Sequence, residues 1–202
     1  MIRLKIPVIV EGRYDKARLS SVVDAVILTT DGFGVFRNDE KRALIRRLGQ
    51  NGLILLCDSD GGGRLIRSHL RGMLGGIAVY DLYTPAIRGK EPRKSAPSKA
   101  GILGVEGVPN EVLAGIFEKF AEAHPELAVS DADARKPGKT PVTKALLYEL
   151  GLNGGPNAAE KRAAAAEKLG LPRDMTVNAF CEAVNMIADG AELIRIVNDG
   201  GE

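Results

Sequence analysis

Short apolar runs alternate with longer amphipathic stretches through the first half of the chain, and this alternation limits the fold more than any other feature. Four runs have the length of buried strands: 5–10, 25–29, 52–57 and 77–82. Between them, apolar residues recur every three or four positions over 15–23, 39–48 and 64–74, a pattern that predicts helices burying one face. The alternation predicts an α/β fold with a parallel sheet flanked by helices on both faces.

The second half of the chain has helical periodicity without strand-like runs. A helix over 110–123 is predicted to close the first domain. Residues 124–141 contain three prolines and little periodicity, which is typical of a linker. Three helices are then predicted: 142–150, 158–169 and 177–187. We therefore expect an α/β domain over 1–123 and a small all-α domain over 142–202.

Composition excludes several kinds of protein. The longest apolar runs span about five residues, far below the roughly 20 that cross a bilayer, so we expect no membrane partner and a cytoplasmic location. Two cysteines, Cys57 and Cys181, cannot form a disulfide framework, and with His69 and His124 they do not give the spacing of a zinc site. A metal would have to be held by carboxylates, which favours magnesium or manganese.

Carboxylates follow two of the predicted strands at the point where each strand ends. Glu11 comes directly after the first strand, and Asp58 and Asp60 come after the third. If these strands are neighbours, all three side chains reach the same edge of the sheet, and their mutual repulsion favours a divalent cation among them. Glycines 61–63 would let a phosphate approach the next helix. The alternative is that the aspartates cap this helix and Glu11 is a solvated turn residue.

Taken together, the two strand ends, 7–12 and 55–60, resemble the Toprim domain, a metal-binding module of topoisomerases, bacterial primases and small nucleases. Within that group the chain is similar to ribonuclease M-five, which matures 5S ribosomal RNA. The similar segments are Val10-Glu11-Gly12-Arg13-Tyr14-Asp15, Thr30-Asp31-Gly32, Asp58-Ser59-Asp60 with Gly63 and Arg67, Lys99 to Glu106, and Leu147 to Arg162. The likeness spans nearly the whole chain.

The resemblance implies a Toprim-type fold and magnesium-dependent hydrolysis of RNA phosphodiesters, with Mn²⁺ as a substitute. It implies that Asp58 and Asp60 hold one or two metal ions and that Glu11 is a further ligand or a general acid/base. Glu106 stands where the family has an extra carboxylate, or is simply an acid near a helix N-terminus. The implied partner is structured RNA, such as the 5S ribosomal RNA precursor together with a ribosomal protein.

Cations are concentrated in the first half of the chain. Residues 1–120 carry 19 Lys and Arg against 13 Asp and Glu, whereas 121–202 carry 9 against 13. We expect eight cations to contact nucleic acid, unless they are ordinary solvated side chains: Arg13, Lys16, Arg67, Arg88, Lys90, Arg93, Lys94 and Lys99. Five of them lie in the Pro- and Gly-rich segment 84–101, here called the basic loop. In the acidic half, a short basic strip is expected to help select the substrate: Arg135, Lys136, Lys139 and Lys144.

Other functions stay open from the sequence alone. One is a nucleic-acid-binding protein of the same fold without cleavage activity, and another is a nuclease that cuts a different RNA or a DNA. A third is a signalling domain with a phosphoacceptor carboxylate at a strand end. That class has an acidic pair after the first strand, whereas this chain has the single Glu11 followed by Gly12 and Arg13.

Overall fold

The computed structural model describes residues 1–32, 35, 38–58, 61–91, 93, 95, 98, 101–129 and 140–199. The chain divides into two compact units: residues 1–42 with 49–130, and residues 43–48 with 131–202. Within the described ranges, no helix combines the length and the apolar character that crossing a membrane requires.

The first unit contains a four-stranded parallel sheet. Six strands are present in the described part of the unit: β1 (Ile2–Arg3), β2 (Val8–Val10), β3 (Val23–Asp24), β4 (Ile27–Thr29), β5 (Leu53–Leu56) and β6 (Val79–Leu82). The sheet has the order β4-β2-β5-β6, and β1 and β3 form a separate parallel pair. Because β2 and β5 are parallel neighbours, with Val8 opposite Ile54, their carboxyl ends lie side by side.

Both faces of this sheet are buried at its two central strands, β2 and β5, as is typical of a parallel sheet. Val8 and Val10 of β2 belong to a core cluster with Leu113 and Phe117, while the intervening Ile9 is also fully buried. Alternate residues of a strand point to opposite faces, so apolar side chains fill both sides. The prediction of a parallel α/β sheet flanked by helices is confirmed.

Among the residues that the structure describes, four α-helices belong wholly or partly to this unit: α1 (Arg13–Leu19), α2 (Asp39–Leu48), α3 (Gly61–Met73) and α4 (Asn110–Ala123). The sequence predicts the first of them over 15–23, but α1 begins and ends earlier. Its start is fixed because the Asp15 carboxylate accepts a hydrogen bond from the backbone N–H of Gly12, 3.0 Å away. The two-residue strands β1 and β3 carry too short a pattern to be recognised in sequence.

Residues 124–129, assigned in the sequence to a linker, pack back onto the start of the chain. A 3₁₀ turn over Pro125–Leu127 is followed by an antiparallel bridge between Ala128 and Leu4. The Val129 N–H donates to the carbonyl of Arg3 at 2.9 Å. The other predicted linker residues through 139 lie outside the described ranges.

The described part of the second unit is helical, which confirms the all-α prediction for the C-terminal region. Its helices after residue 140 are α5 (Lys144–Glu149), α6 (Ala158–Lys168), α7 (Val177–Ile187) and α8 (Gly190–Asn198). The sequence analysis misses α8. A signal for it exists, because the Asp189 carboxylate caps the helix by accepting the Glu192 N–H at 2.9 Å, the Asp-x-x-Glu spacing of a helix start.

Candidate metal and phosphate site

Glu11 and Asp58 meet where β2 and β5 end. The backbone N–H of Asp58 donates to Oε1 of Glu11 across 2.8 Å. The main chain of Glu11 is itself held by the turn after β4, since its carbonyl accepts from the Gly32 N–H and the Thr30 hydroxyl, each 3.2 Å away. That turn needs left-handed backbone at Asp31 (φ 52°) and Gly32 (φ 62°).

Of the three carboxylates predicted to converge, the structure brings these two together. The third, Asp60, lies outside the described residues. Glu11 and Asp58 are both half-buried, so each carboxylate is shielded on one side and reachable on the other.

A cavity of about 260 Å³ opens beside the pair, and its lining is strongly acidic. Five carboxylates line it: Glu11, Asp15, Asp58, Glu91 and Glu106. Burial, and after it the charge of Asp58, raises the pKa of Asp15 to about 6. Negative charges packed at this density attract cations and disfavour their own ionisation.

Two glycines leave room for the central carboxylates. A Cβ on Gly63 would lie 2.0 Å from the Asp58 carbonyl oxygen and 2.8 Å from Oε1 of Glu11. A Cβ on Gly104 would lie 2.7 Å from Oδ2 of Asp58. Any larger residue at either position would displace Glu11 or Asp58, so the shape of the site depends on both glycines.

Glu106 enters the cavity from a 3₁₀ turn, Val105–Gly107. Its carboxylate pairs with the Arg93 guanidinium at 3.1 Å, and its carbonyl accepts from Nε of Arg18 at 2.9 Å. Arg93 also stacks on the exposed ring of Tyr14, 4.2 Å from its centroid. A guanidinium held this way lies at the cavity wall, where a phosphate could bind it.

The structure gives Arg67 a different place from the one predicted. Its side chain is buried, with 7% of the residue exposed, and it donates to the carbonyls of Leu55, Cys57 and Leu82. It also pairs with Asp81 at 2.6 Å. Arg67 therefore ties the ends of β5 and β6 together, and its donors are directed inward and not towards a nucleic acid.

The other predicted nucleic-acid contacts differ in exposure. Arg13 is exposed and donates to the Tyr14 hydroxyl at 2.9 Å, while Lys16 is half-buried. Arg88 and Lys90 are exposed on the basic loop, whose base is closed by an antiparallel bridge between Arg88 and Ile102. Lys94 and Lys99 lie outside the described residues, as do Arg135, Lys136 and Lys139 of the basic strip.

The donor chemistry of the site fits a hard divalent cation. Carboxylate oxygens are the ligands that Mg²⁺ and Mn²⁺ take in proteins. In the part of the chain that the structure describes, no three His, Cys, Asp or Glu side chains form a group that could hold a metal ion. Glu11 and Asp58 supply two adjacent carboxylates, and Asp60 follows two residues after Asp58 in the chain.

Apart from glycines, sequence reasoning misses three residues that line the cavity: Tyr14, Asp15 and Glu91. Asp15 is the third residue of α1, three residues after the N-cap Gly12, so its position in the first turn of a predicted helix is a usable signal. Glu91 lies among the cations of the basic loop, where a single acid suggests only a surface ion pair. Its place in the site follows from tertiary structure alone.

The fold and the cavity define a class: an α/β protein with a carboxylate-lined site at the carboxyl edge of a parallel sheet. Two proteins that are similar in sequence to this chain are ribonucleases. The chain is 29% identical over 177 residues to Ribonuclease M5 of Lactiplantibacillus plantarum, covering 85% of this chain and 82% of that protein. It is 28% identical to Ribonuclease M5 of Staphylococcus aureus, covering 80% and 79%. The resemblance predicted from the motifs is confirmed.

A solved structure is also similar to this one. It is that of a small TOPRIM domain protein from Bacillus stearothermophilus, which matches with a TM-score of 0.41 and 25% identity, over 59% of this chain and 91% of that one. No protein-family model matches the chain.

Proposed function

We propose that this chain is a magnesium-dependent endoribonuclease that hydrolyses RNA phosphodiesters. The observation that carries the proposal is the hydrogen-bonded Glu11–Asp58 pair at the ends of two parallel strands, in a cavity with three further carboxylates. Similarity to ribonucleases along about four fifths of the chain supports RNA as the substrate.

In this proposal, Asp58 and Asp60 hold the cation, and Glu11 is either a further ligand or the general acid/base. When bound, Mg²⁺ would neutralise the phosphate and lower the pKa of the attacking water. The hydrogen bond from the Asp58 N–H orients Oε1 of Glu11 relative to the main chain of Asp58. Glu106, held from both sides by Arg93 and Arg18, supplies an additional carboxylate at the cavity wall.

Phosphate recognition is assigned to cations at the surface of the site. Arg93 is the best placed because it lines the cavity and its planar guanidinium can form two parallel hydrogen bonds with a phosphate. Arg13, Arg88 and Lys90 are exposed and supply further contacts to the backbone of the nucleic acid. Lys16, Lys94 and Lys99 complete the proposed set, from which the buried Arg67 is removed.

The resemblance to the maturation enzyme suggests a structured RNA, with the 5S ribosomal RNA precursor and a ribosomal protein as proposed partners. The first domain, over 1–123, would carry the chemistry, and the acidic second half would help to select the substrate through the basic strip at 135–144 or through a protein that presents the RNA. A surface of net negative charge opposes general binding to phosphates.

Cleavage of a labelled structured RNA by Glu11→Gln and Asp58→Asn variants tests the proposal. We expect each to lose activity by about 100-fold, because each removes an anionic group from the site while the fold, relieved of repulsion, stays intact. Asp24→Asn, an exposed aspartate in β3, is the matched control and should cleave as the unmodified chain does. Full cleavage by Asp58→Asn, or by the unmodified chain in excess chelator, would contradict the proposal.

A second candidate is an RNA-binding protein of this fold that does not cleave. It is favoured by the absence, within the described ranges, of three metal-ligating side chains grouped together. Equal RNA affinity with and without Mg²⁺, combined with no cleavage under any metal, would identify this function in place of the first.

A further inference from the structure

Three consecutive backbone amides are bound to three carboxylates of the site. The N–H groups of Gly104, Val105 and Glu106 donate to Glu91 Oε1 at 2.8 Å, Asp58 Oδ1 at 2.9 Å and Asp15 Oδ1 at 3.1 Å. We call residues 104–106 the amide segment. Three hydrogen bonds to side chains from three other segments of the chain therefore hold this segment in place.

Asp58 is assigned to the metal site and Asp15 caps α1, whereas Glu91 has neither of these roles. It has no solvent-exposed surface at all, which is costly for a carboxylate unless hydrogen bonds such as the one from the Gly104 N–H compensate for the lost water. It also packs closely against the segment, because a Cβ on Gly107 would lie 3.1 Å from its Cγ. Glu91 therefore contacts the amide segment at its first residue and just beyond its last.

The position of Asp58 depends on this segment. Oδ1 of Asp58 is oriented by the Val105 N–H, and Gly104 lies against Oδ2 so tightly that no Cβ fits between them. The segment also carries Glu106 into the cavity. A shift at Gly104 would consequently move both the orienting group of Asp58 and the Glu106 carboxylate.

We propose that Glu91 is a positioning residue of the site: by holding the Gly104 amide it fixes the amide segment, and through it the orientation of Asp58 and the place of Glu106. Its oxygen acts on the protein's own backbone and not on cation or RNA. The activity part of this inference rests on the proposed function, while the structural part does not.

Two conservative variants separate the length of the Glu91 side chain from its charge. Glu91→Gln keeps an oxygen at the same distance and loses the charge, whereas Glu91→Asp keeps the charge and is one methylene too short to reach the Gly104 amide. If Glu91 positions the segment, Glu91→Gln should resemble the unmodified chain. Glu91→Asp should lose about 10-fold or more in Mn²⁺ affinity and in kcat, the size of effect seen when groups supporting a metal ligand are removed.

Three readouts are compared in the full chain: Mn²⁺ affinity by electron paramagnetic resonance, kcat against KM with structured RNA, and hydrogen exchange of the 104–106 amides. We expect Glu91→Asp to lower kcat with KM changed less than about 3-fold, and to speed exchange at Gly104 and Val105. Glu118→Gln and Glu118→Asp, on an exposed residue of α4, are the matched controls and should change none of the three.

The reverse order would overturn the inference. If Glu91→Gln loses Mn²⁺ affinity while Glu91→Asp keeps it, the charge binds the cation directly and Glu91 is a ligand. Unchanged amide exchange in Glu91→Asp would likewise contradict the positioning role. If the unmodified chain cleaves no RNA, the proposed function fails, but exchange and Mn²⁺ affinity still decide the role of Glu91.

Discussion

Asp15 combines two tasks whose requirements conflict. It caps α1 and holds the Glu106 amide, which favours the charged form, yet burial and the neighbouring Asp58 raise its pKa to about 6. Burial is the larger cause. A buried carboxyl of this kind makes stability depend on pH, because the folded state binds its proton more tightly than the unfolded state does.

The sign of that dependence is predictable in chelator, where no divalent cation shifts the titration. Between the unfolded value of 3.8 and about 6, the folded chain holds a proton that the unfolded chain has released. The free energy of unfolding should therefore fall as pH rises through this window, by about 3 kcal/mol for a shift of this size, and Asp15→Asn should flatten the curve. Urea unfolding at several pH values measures it.

Asp24→Asn, at an exposed aspartate, should leave the shape of the pH curve unchanged and serves as the control. Parallel curves for the unmodified chain and Asp15→Asn would show that Asp15 is not the group whose titration destabilises the fold.

Gly104 and Gly115 make opposite predictions for the same substitution. Gly104→Ala would drive a methyl to 2.7 Å from Oδ2 of Asp58, so we expect lower Mn²⁺ affinity and lower stability. Gly115 lies inside α4, and a methyl group added there would meet no neighbouring atom within 4 Å, so Gly115→Ala should raise the free energy of unfolding by about 0.5–1 kcal/mol. Thermal unfolding and Mn²⁺ titration of Gly104→Ala and Gly115→Ala measure both effects. Equal stability and equal Mn²⁺ affinity of the two variants would contradict the close approach of Gly104 to Asp58.

At the residue scale, the acidic residues at the strand ends can be predicted from the sequence, but the residues that contact them cannot. Glu11 and Asp58 are recognisable because each follows a buried strand, and parallel strands end at one edge. Arg67 is misassigned because its guanidinium binds main-chain carbonyls of the two strands on either side of α3, and a sequence pattern does not show that these contacts bury it. Glu91 is missed for the same reason, since only the fold brings it to Gly104.

At the scale of elements, the proposed contact between the basic loop and RNA can be measured through the salt dependence of binding. Its base is closed by hydrogen bonds between Gly89 and Gly101 and between Ile87 and Leu103. Arg93 extends from it to Glu106. A loop anchored at its base can present its cations to a phosphate backbone without a search over many conformations.

Replacing Arg88, Lys90 and Arg93 together by alanine should weaken RNA binding and flatten its dependence on salt. Each phosphate contact contributes about 0.7 to the slope of log affinity against log salt for a single strand, so three lost contacts should reduce it by about 2. Filter binding at several salt concentrations measures this. The single-residue control is Lys119→Ala, at an exposed lysine of α4, which is compared with Lys90→Ala. An unchanged salt slope in the triple variant would refute the role of the basic loop in binding RNA.

Helices and strands were predictable to different degrees. The long amphipathic helices α2, α3 and α4 follow from periodicity over ten or more residues. The short strands β1 and β3 do not, and α8 is missed although the cap at Asp189 marks its start. Residues 125–129 resemble a linker in sequence because prolines mark breaks in structure, whereas the pairing of Ala128 with Leu4 is a long-range contact.

For the whole molecule, the alternation of strand and helix predicts a parallel sheet, but not its order. The site requires β2 and β5 to be neighbours, and this adjacency is observed. The partition into units differs in detail from the sequence expectation, since residues 43–48 of α2 belong to the second unit. Most of the lysines and arginines also lie in the first half of the chain, which contains the acidic cavity. Such a distribution favours a nucleic acid drawn to the first unit and a cation drawn to its centre.

The measurement that tests this account most directly is Mn²⁺ binding to the unmodified chain and to Asp58→Asn, followed by electron paramagnetic resonance without RNA. The account predicts saturable binding by the unmodified chain and by Asp24→Asn, and an affinity at least about 10-fold lower in Asp58→Asn, because the variant lacks one of the carboxylates proposed to hold the cation. Equal Mn²⁺ affinity in the unmodified chain and Asp58→Asn would contradict it, as would the absence of binding in both.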